Sequence, residues 1–363
     1  MSRTLRFPEL EQARQDMSEQ SELYRPTVFW EDASACIVDE LCENGIEHFR
    51  ALPTSLGFFV PTYGIPGNCF SKEQADGLVG WLTQQHSSAK KPLLGLQQFL
   101  KGEASALADY RVLMASDDQS RLPHLHTFSE STVGAPIEHF EFERRRFSRS
   151  SLNYLLGMAL LKKHLVAEPL STVLEIGGGF GTLGEILSHS GIDGIRYIDI
   201  DIPPTSYVAQ HYLSRVLGAD NVATYAQTRG QGDIRISSLP QASVLCSWQI
   251  EKLQGQVDLF VNFISFQEME PHIVRNYLTH VSRLGARWVL LRNMREGKQK
   301  RGHDSEVGVE TPILSEDYLD MLPDYELVER NVLCYGYRTV DGYHSELFLL
   351  RLKLCESPLT SSG

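Results

Sequence analysis

Apolar and polar positions along the chain change rhythm near residue 170. Upstream, residues 34–49 and 72–85 repeat apolar side chains at helical spacing. Between them the Gly- and Pro-rich stretch 56–68 reads as irregular structure. Residues 116–140 show little periodicity and several Pro, Ser and His, which reads as an extended connection. Residues 149–165 place Leu152, Leu155, Leu156, Ala159, Leu160 and Leu165 as a buried helix would. Downstream the rhythm alternates. Strands are predicted over 172–176, 195–201, 243–247, 258–264 and 287–291, and helices over 182–189, 204–217 and 271–284. That alternation implies a mostly parallel sheet with helices on both faces. Two more strand-like runs, 325–339 and 343–354, flank the turn candidate Asp341-Gly342 and would end the sheet in a hairpin with one antiparallel strand.

Composition narrows the function classes. The formal net charge of -12 argues against non-specific nucleic-acid binding, which needs surplus Lys and Arg to neutralise phosphates. The six cysteines (Cys36, Cys42, Cys69, Cys246, Cys334, Cys355) form no C-x-x-C pair, a pattern that fits a reducing compartment better than a disulfide framework. The polar N-terminus lacks a signal-peptide pattern, and no window approaches the ~18 uninterrupted apolar residues of a membrane helix. The expectation is a cytoplasmic protein with no membrane and no nucleic-acid partner.

The chemistry concentrates at residues 172–182, TVLEIGGGFGT, where an apolar strand runs directly into Gly177, Gly178, Gly179 and, after Phe180, Gly181. Glycine permits backbone angles closed to other residues and lets a ligand approach the main chain. The following helix start favours a carboxylate or phosphate. A dinucleotide fingerprint G-x-G-x-x-G begun at Gly177 would end on Thr182, which is not glycine. The spacing is E-x-G-x-G-x-G instead, with Glu175 placed to accept a hydrogen bond from an ammonium group. S-adenosylmethionine has such a group, and a nicotinamide dinucleotide does not. The second strand ends in Asp199-Ile200-Asp201, about 20 residues beyond the glycines, where an acid meets ribose hydroxyls. Asp201, last before Ile202-Pro203-Pro204, is preferred.

The segments RFSRSSLNY (146–154), LEIGGGFGTLGEIL (174–187), YIDIDIPPTSYVAQHYLS (197–214) and VDLFVNFISFQEME (257–270) resemble the sugar O-methyltransferase family of the class I S-adenosylmethionine-dependent methyltransferases. The resemblance spans residues 140–353. It implies a Rossmann-like, seven-stranded sheet; with the residue patterns above, the expected fold is α/β, mostly parallel with an antiparallel C-terminal hairpin strand, preceded by a mainly helical N-terminal region. Residues 1–140 would be that region, capping the acceptor or making a dimer interface. Residues 141–355 would be the methyltransferase domain and 356–363 a flexible tail. S-adenosyl-L-methionine is the implied cofactor, held by Glu175, Gly177, Gly178, Gly179, Gly181 and Asp201. Ser247 and Trp248 would lie near the adenine, and Asn262 to Gln267 would face the transferred methyl. The implied acceptor is a small molecule or glycan.

A hydroxyl must lose a proton as it attacks a methyl group, and a positioned His or carboxylate serves that need. Glu268 and His303 are the candidates, although Glu268 could equally be a helix-start carboxylate and His303 an exposed loop residue. The basic run Arg292, Arg295, Lys298, Lys300, Arg301 reads either as a solvated loop or as a lid over a phosphate-bearing sugar or a carrier-linked glycan. Tyr154, Gln267, Arg292 and Arg295 are the substrate candidates. Asp199, Glu268, Asp304 and Glu306 could supply Mg²⁺ ligands, but their spacing does not require it, and no metal is assigned. Transfer to nitrogen or carbon of a small molecule, a dinucleotide oxidoreductase and a non-catalytic cofactor-binding module stay open, as does a homo-oligomer.

Overall fold

The strand predicted at 172–176 forms the middle of a nine-stranded sheet in the computed structural model, which describes residues 7–63, 72–85, 90–165, 170–302, 308–338 and 342–353. The strands are β1 (Thr172–Ile176), β2 (Arg196–Asp201), β3 (Val222–Ala223), β4 (Ala242–Cys246), β5 (Leu259–Phe263), β6 (Trp288–Met294), β7 (Tyr325–Asn331), β8 (Tyr337–Arg338) and β9 (His344–Leu352). Their order is β7-β9-β6-β5-β1-β2-β4-β3, with β8 paired to β9 beyond the end of β7. Strands β1 to β6 pair in parallel. Strand β9 runs antiparallel to β6, β7 and β8. The sheet is therefore α/β and mostly parallel, as the alternation of elements implies. The implied count of seven is exceeded because two-residue strands, Val222–Ala223 and Tyr337–Arg338, add to it.

Every residue of β1, β4 and β5 is buried, which is what helices on both faces of a parallel sheet require. The helix Arg149–His164 begins at a capping box in which Ser148 and Ser151 satisfy each other's backbone N–H groups. It is buried on nearly all sides, including Lys162, whose ammonium lies 2.6 Å from the Asp117 carboxylate. A charge at that depth persists only when paired.

Upstream, helices occupy Pro8–Ser18, Val28–Asn44, Pro53–Phe58, Lys72–Gln85, Lys90–Leu100 and Glu103–Ser116. The helix expected over 34–49 starts earlier and stops at Gly45, whose φ of 89° ends it. The stretch 56–68, expected to be irregular, opens inside the helix Pro53–Phe58, where Pro53 occupies a helix-start position that needs no N–H. Residues 64–68 of that stretch lie outside the described residues, as do Asp341 and the tail 356–363. Residues 117–139 form no helix or strand and lead into a hairpin, Phe140–Phe142 with Arg145–Phe147.

Arg50 fastens this upstream region to the glycine turn. It is fully buried, donates to Glu138 at 2.7 Å and to Glu130 at 2.6 Å, and stands 4.7 Å over the Phe180 ring. Burial acts to raise the Glu130 carboxyl, but the Arg50 guanidinium outweighs it and holds that group down to about 2.

Candidate ligand cleft

The strand order turns at β1: its successor β2 lies on one side and β5 on the other. In open parallel sheets that switch point leaves a crevice at the carboxyl ends of the strands, where ligands bind. A cleft of about 1050 Å³, partly open to solvent, lies there. Its floor is Ile176 to Gly179, Ile200 to Ile202 and Phe263 to Ser265. Ser150, Asn153 and Tyr154 come from the buried helix, and Glu268, Met269, Ile273 and Tyr277 from beyond β5. Arg25 to Thr27, Trp30, Phe58, Phe59 and Pro61, all from the upstream region, form the facing wall.

The glycines meet separate demands. Gly177 (φ 72°) and Gly179 (φ 64°) take left-handed angles along the floor. A Cβ on Gly177 would overlap the Ser265 side chain. A Cβ on Gly178 would come within 2.8 Å of the Glu175 carboxylate and the Tyr197 hydroxyl. Gly181 (φ 94°) is buried away from the cleft, where a Cβ would come 2.9 Å from Leu213, so it serves helix packing.

Three carboxyls gather at this turn. Glu175 is fully buried and takes the Tyr197 hydroxyl at 2.6 Å, while its Oε1 has no hydrogen-bond partner. Burial pushes its carboxyl up to about 7, against the pull of the Tyr154 and Tyr197 hydroxyls. Asp199 accepts from the Gly178 N–H at 3.2 Å, and its Oδ2 has no partner. Asp201 lines the cleft and accepts from Gly179 N–H at 3.2 Å and Ile202 N–H at 2.7 Å. Burial raises both aspartyl groups, and repulsion from Asp201 raises Asp199 further.

Across the floor, Tyr154 stacks on Phe263 with ring centroids 4.8 Å apart and planes 5° apart. Ile264 then holds φ at 74°, a strained angle for a β-branched residue, and turns the chain into Ser265–Glu268. That turn brings Glu268 into the cleft wall. Its carboxylate accepts from Trp30 Nε1 and from Lys298 Nζ, each at 3.1 Å. Burial raises its carboxyl, with Lys298 and Trp30 opposing.

Of the residues singled out in the sequence, Gly177, Gly178, Gly179, Asp201, Tyr154 and Glu268 line the cleft, and Glu175 lies directly beneath it. Others are placed elsewhere. Ser247 donates to the Tyr24 carbonyl at 2.6 Å, and Trp248 packs against Tyr225. Asn262 is buried behind the floor, donating to Ile176 O at 2.9 Å and to Ser265 Oγ at 2.6 Å. Gln267 accepts from Met294 N–H at 2.8 Å. The basic run does not act as one lid. Arg292 is fully buried in β6, Arg295 pairs with Glu346 at 3.0 Å, Lys298 joins Glu268, and Lys300 and Arg301 are exposed. His303, Asp304 and Glu306 lie outside the described residues.

Trp30, Phe58, Phe59, Ser150 and Tyr277 are cleft residues that sequence reasoning does not pick out as site residues. Ser150, Asn153 and Phe263 fall inside the segments that carry the family resemblance, so a signal exists for them. Trp30, Phe58 and Phe59 reach the cleft only through tertiary packing. Among the described residues no group of three or more His, Cys, Asp or Glu is placed to hold a metal ion, and no helix is long and apolar enough to cross a membrane.

No protein-family model matches the chain, and no curated protein does. Among solved structures it is similar to the magnesium protoporphyrin IX methyltransferase of Synechocystis PCC 6803 with bound SAM, at 15% identity over 56% of this chain and 79% of that one, TM-score 0.37. It is similar to the mitomycin 7-O-methyltransferase at 12% identity over 91% of this chain and 74% of that one, TM-score 0.37. A SAM-dependent methyltransferase from Aquifex aeolicus aligns at 17% identity over 56% of this chain and 94% of that one, TM-score 0.35. At such identities and scores the likeness says nothing of substrate or residue roles.

Proposed function

We propose that the cleft binds S-adenosyl-L-methionine and that the protein is a methyltransferase acting on a hydroxyl of a sugar or glycosylated small molecule. The observation that carries the reading is the acid cluster at the glycine turn. Among the described residues Glu175 Oε1 and Asp199 Oδ2 have no partner within hydrogen-bond distance, with the Tyr154 hydroxyl acting on Glu175 from further off, and Asp201 opens into the cleft above them. Buried carboxyls left this way favour a cationic ligand. A pyrophosphate at the same turn would meet three carboxyls, which disfavours a dinucleotide. The aromatic faces of Tyr154, Phe263, Trp30 and Tyr277 suit a cation as well.

In this reading the buried carboxyls beneath the glycine turn favour the ammonium of the amino-acid end through their charge, and Asp201 holds the ribose hydroxyls. When bound, the cofactor supplies an electrophilic methyl group on a sulfonium. The chain's own residues then do the rest. Trp30, Phe58 and Phe59 close the cleft against water. Ser150 and Asn153 offer polar groups to an acceptor, and the Asn153 side-chain oxygen has no other partner. Glu268 takes the acceptor's proton onto a carboxylate oxygen, with Lys298 favouring the ionised form against the effect of burial. Alignment of acceptor and methyl supplies much of the acceleration.

The sugar part of the proposal draws on the resemblance of segments 146–154, 197–214 and 257–270. Incubating the protein with methyl-labelled S-adenosylmethionine and hydroxylated, aminated and carbon-nucleophile acceptors tests it. Label on an acceptor oxygen is the expected result. Label only on nitrogen or carbon, or on no acceptor, would refute the hydroxyl assignment.

A further inference from the structure

Behind the cleft floor, Arg149 and Arg292 lie near each other, and among the described residues Asp109 is the carboxylate that acts on both. Arg292 is fully buried, donates to the Tyr335 carbonyl at 2.6 Å and to the Asn153 carbonyl at 3.4 Å, and stands 5.3 Å over the Phe263 ring. Among the described residues its Nε and Nη1 have no hydrogen-bond partner. Arg149 donates to the Thr62 carbonyl at 2.9 Å and to the Tyr337 hydroxyl at 2.6 Å, between the Tyr63 and Tyr337 rings. The carboxylate facing both is Asp109, which is occupied by the Tyr63 hydroxyl. Burial raises the Asp109 carboxyl, against the pull of the Tyr63 hydroxyl and of both arginines. Tyr337 is held below its ordinary range by the two arginines, which overcome the effect of burial.

Arginine does not deprotonate in proteins, and a buried guanidinium with two idle nitrogens is costly unless something negative arrives. Asn153 and Phe263, which touch Arg292, also line the cleft, and Thr62 follows the cleft residue Pro61. We propose that Arg149 and Arg292, with the Tyr337 hydroxyl, form an anion subsite behind the cleft floor, beside its Asn153 and Phe263 side, so that the acceptor carries a phosphate or carboxylate. Arg149 and Tyr337 are partly exposed, and Arg292 supplies charge from behind. The guanidinium fork suits either anion geometrically. The proposal rests on the methyltransferase reading for its substrate meaning, but the subsite itself can be measured separately.

Thermal unfolding of the full chain is recorded in sodium phosphate, in sodium acetate and in sodium chloride of equal ionic strength, with S-adenosylhomocysteine binding followed in parallel. Phosphate or acetate should raise Tm by roughly 2 °C or more above chloride. A response to phosphate identifies a phosphorylated acceptor, and a response to acetate a carboxylated one. Arg149→Gln should abolish the shift. If that variant does not fold, Arg149→Lys keeps the charge but loses the fork and should bind the anion about 10-fold more weakly. No shift in the unaltered protein, a full shift in folded Arg149→Gln, or unchanged affinity in Arg149→Lys overturns the subsite. Anion binding without S-adenosylhomocysteine binding would overturn the cofactor assignment and leave the subsite standing, and the reverse result would do the opposite.

Discussion

The Trp30 indole donates to the Glu268 carboxylate across 3.1 Å, joining the helix Val28–Asn44 to the turn that follows β5. The residue assigned as proton acceptor is thus held by the upstream region as well as by Lys298. If Glu268 accepts the proton, Glu268→Gln lowers kcat about 10²- to 10⁴-fold with S-adenosylhomocysteine affinity unchanged. The rate should rise with pH as the carboxyl ionises, through a midpoint above the ordinary glutamate range, because burial raises that group. Trp30→Phe removes a donor that favours the ionised form, so this limb of the pH–rate profile should move further up. A profile that stays in place separates Trp30 from the chemistry.

Glu175 gives a stability prediction of unusual sign. Its folded value of about 7 lies above its ordinary 4.5, so the native state holds the proton more tightly than the unfolded chain. Stability therefore falls as pH rises from about 4.5 to about 7 and is level above that, a loss of roughly 3 kcal/mol if nothing compensates. Glu175→Gln should be more stable than the parent at pH 8 and indistinguishable from it near pH 4. Denaturant titrations of both proteins at the two pH values check this. Equal stability at pH 8 would show that the carboxyl is not penalised by its burial.

Removing Arg50 would leave Glu130 and Glu138 buried without their cation. Arg50→Ala should cost about 3–5 kcal/mol, the usual consequence of stranding a buried charge. Chemical denaturation reads the loss. A cost under about 1 kcal/mol would mean that the network adds little to the tie between the upstream region and the glycine turn.

At Gly177 a methyl group meets both the Ser265 side chain and a left-handed backbone angle. The angle alone costs about 1–2 kcal/mol for an ordinary residue. Gly177→Ala should lose stability by at least that much and bind S-adenosylhomocysteine more weakly. Gly194 is also left-handed (φ 68°), but a Cβ added there would have nothing within 4 Å, so Gly194→Ala should show the strain without the binding loss.

What could be read from the sequence was local. The run from Thr172 to Gly181 reads as a strand entering a glycine turn because Val173, Leu174 and Ile176 lead straight into glycines that take angles other residues avoid. Asp201 could be found because strand ends are set by the same alternation. Arg292 shows the limit. Among Arg295, Lys298, Lys300 and Arg301 it looks like one more loop cation, and only the register of β6 against Phe263 sends it inward. Ser247 looks available to a ligand in sequence, yet its hydroxyl is taken by the Tyr24 carbonyl 2.6 Å away, from the far upstream region. The cleft wall from Arg25 to Pro61 has no motif of its own, since its role comes from where the helices pack.

Isothermal titration of the full chain with S-adenosylhomocysteine at pH 7.5, alongside Asp201→Ala, tests the reading of the acid-lined cleft most directly. One molecule bound per chain by the parent, with affinity lowered about 10-fold or more in the variant, is the result that reading requires. No heat with the parent protein, or equal affinity in Asp201→Ala, would contradict it.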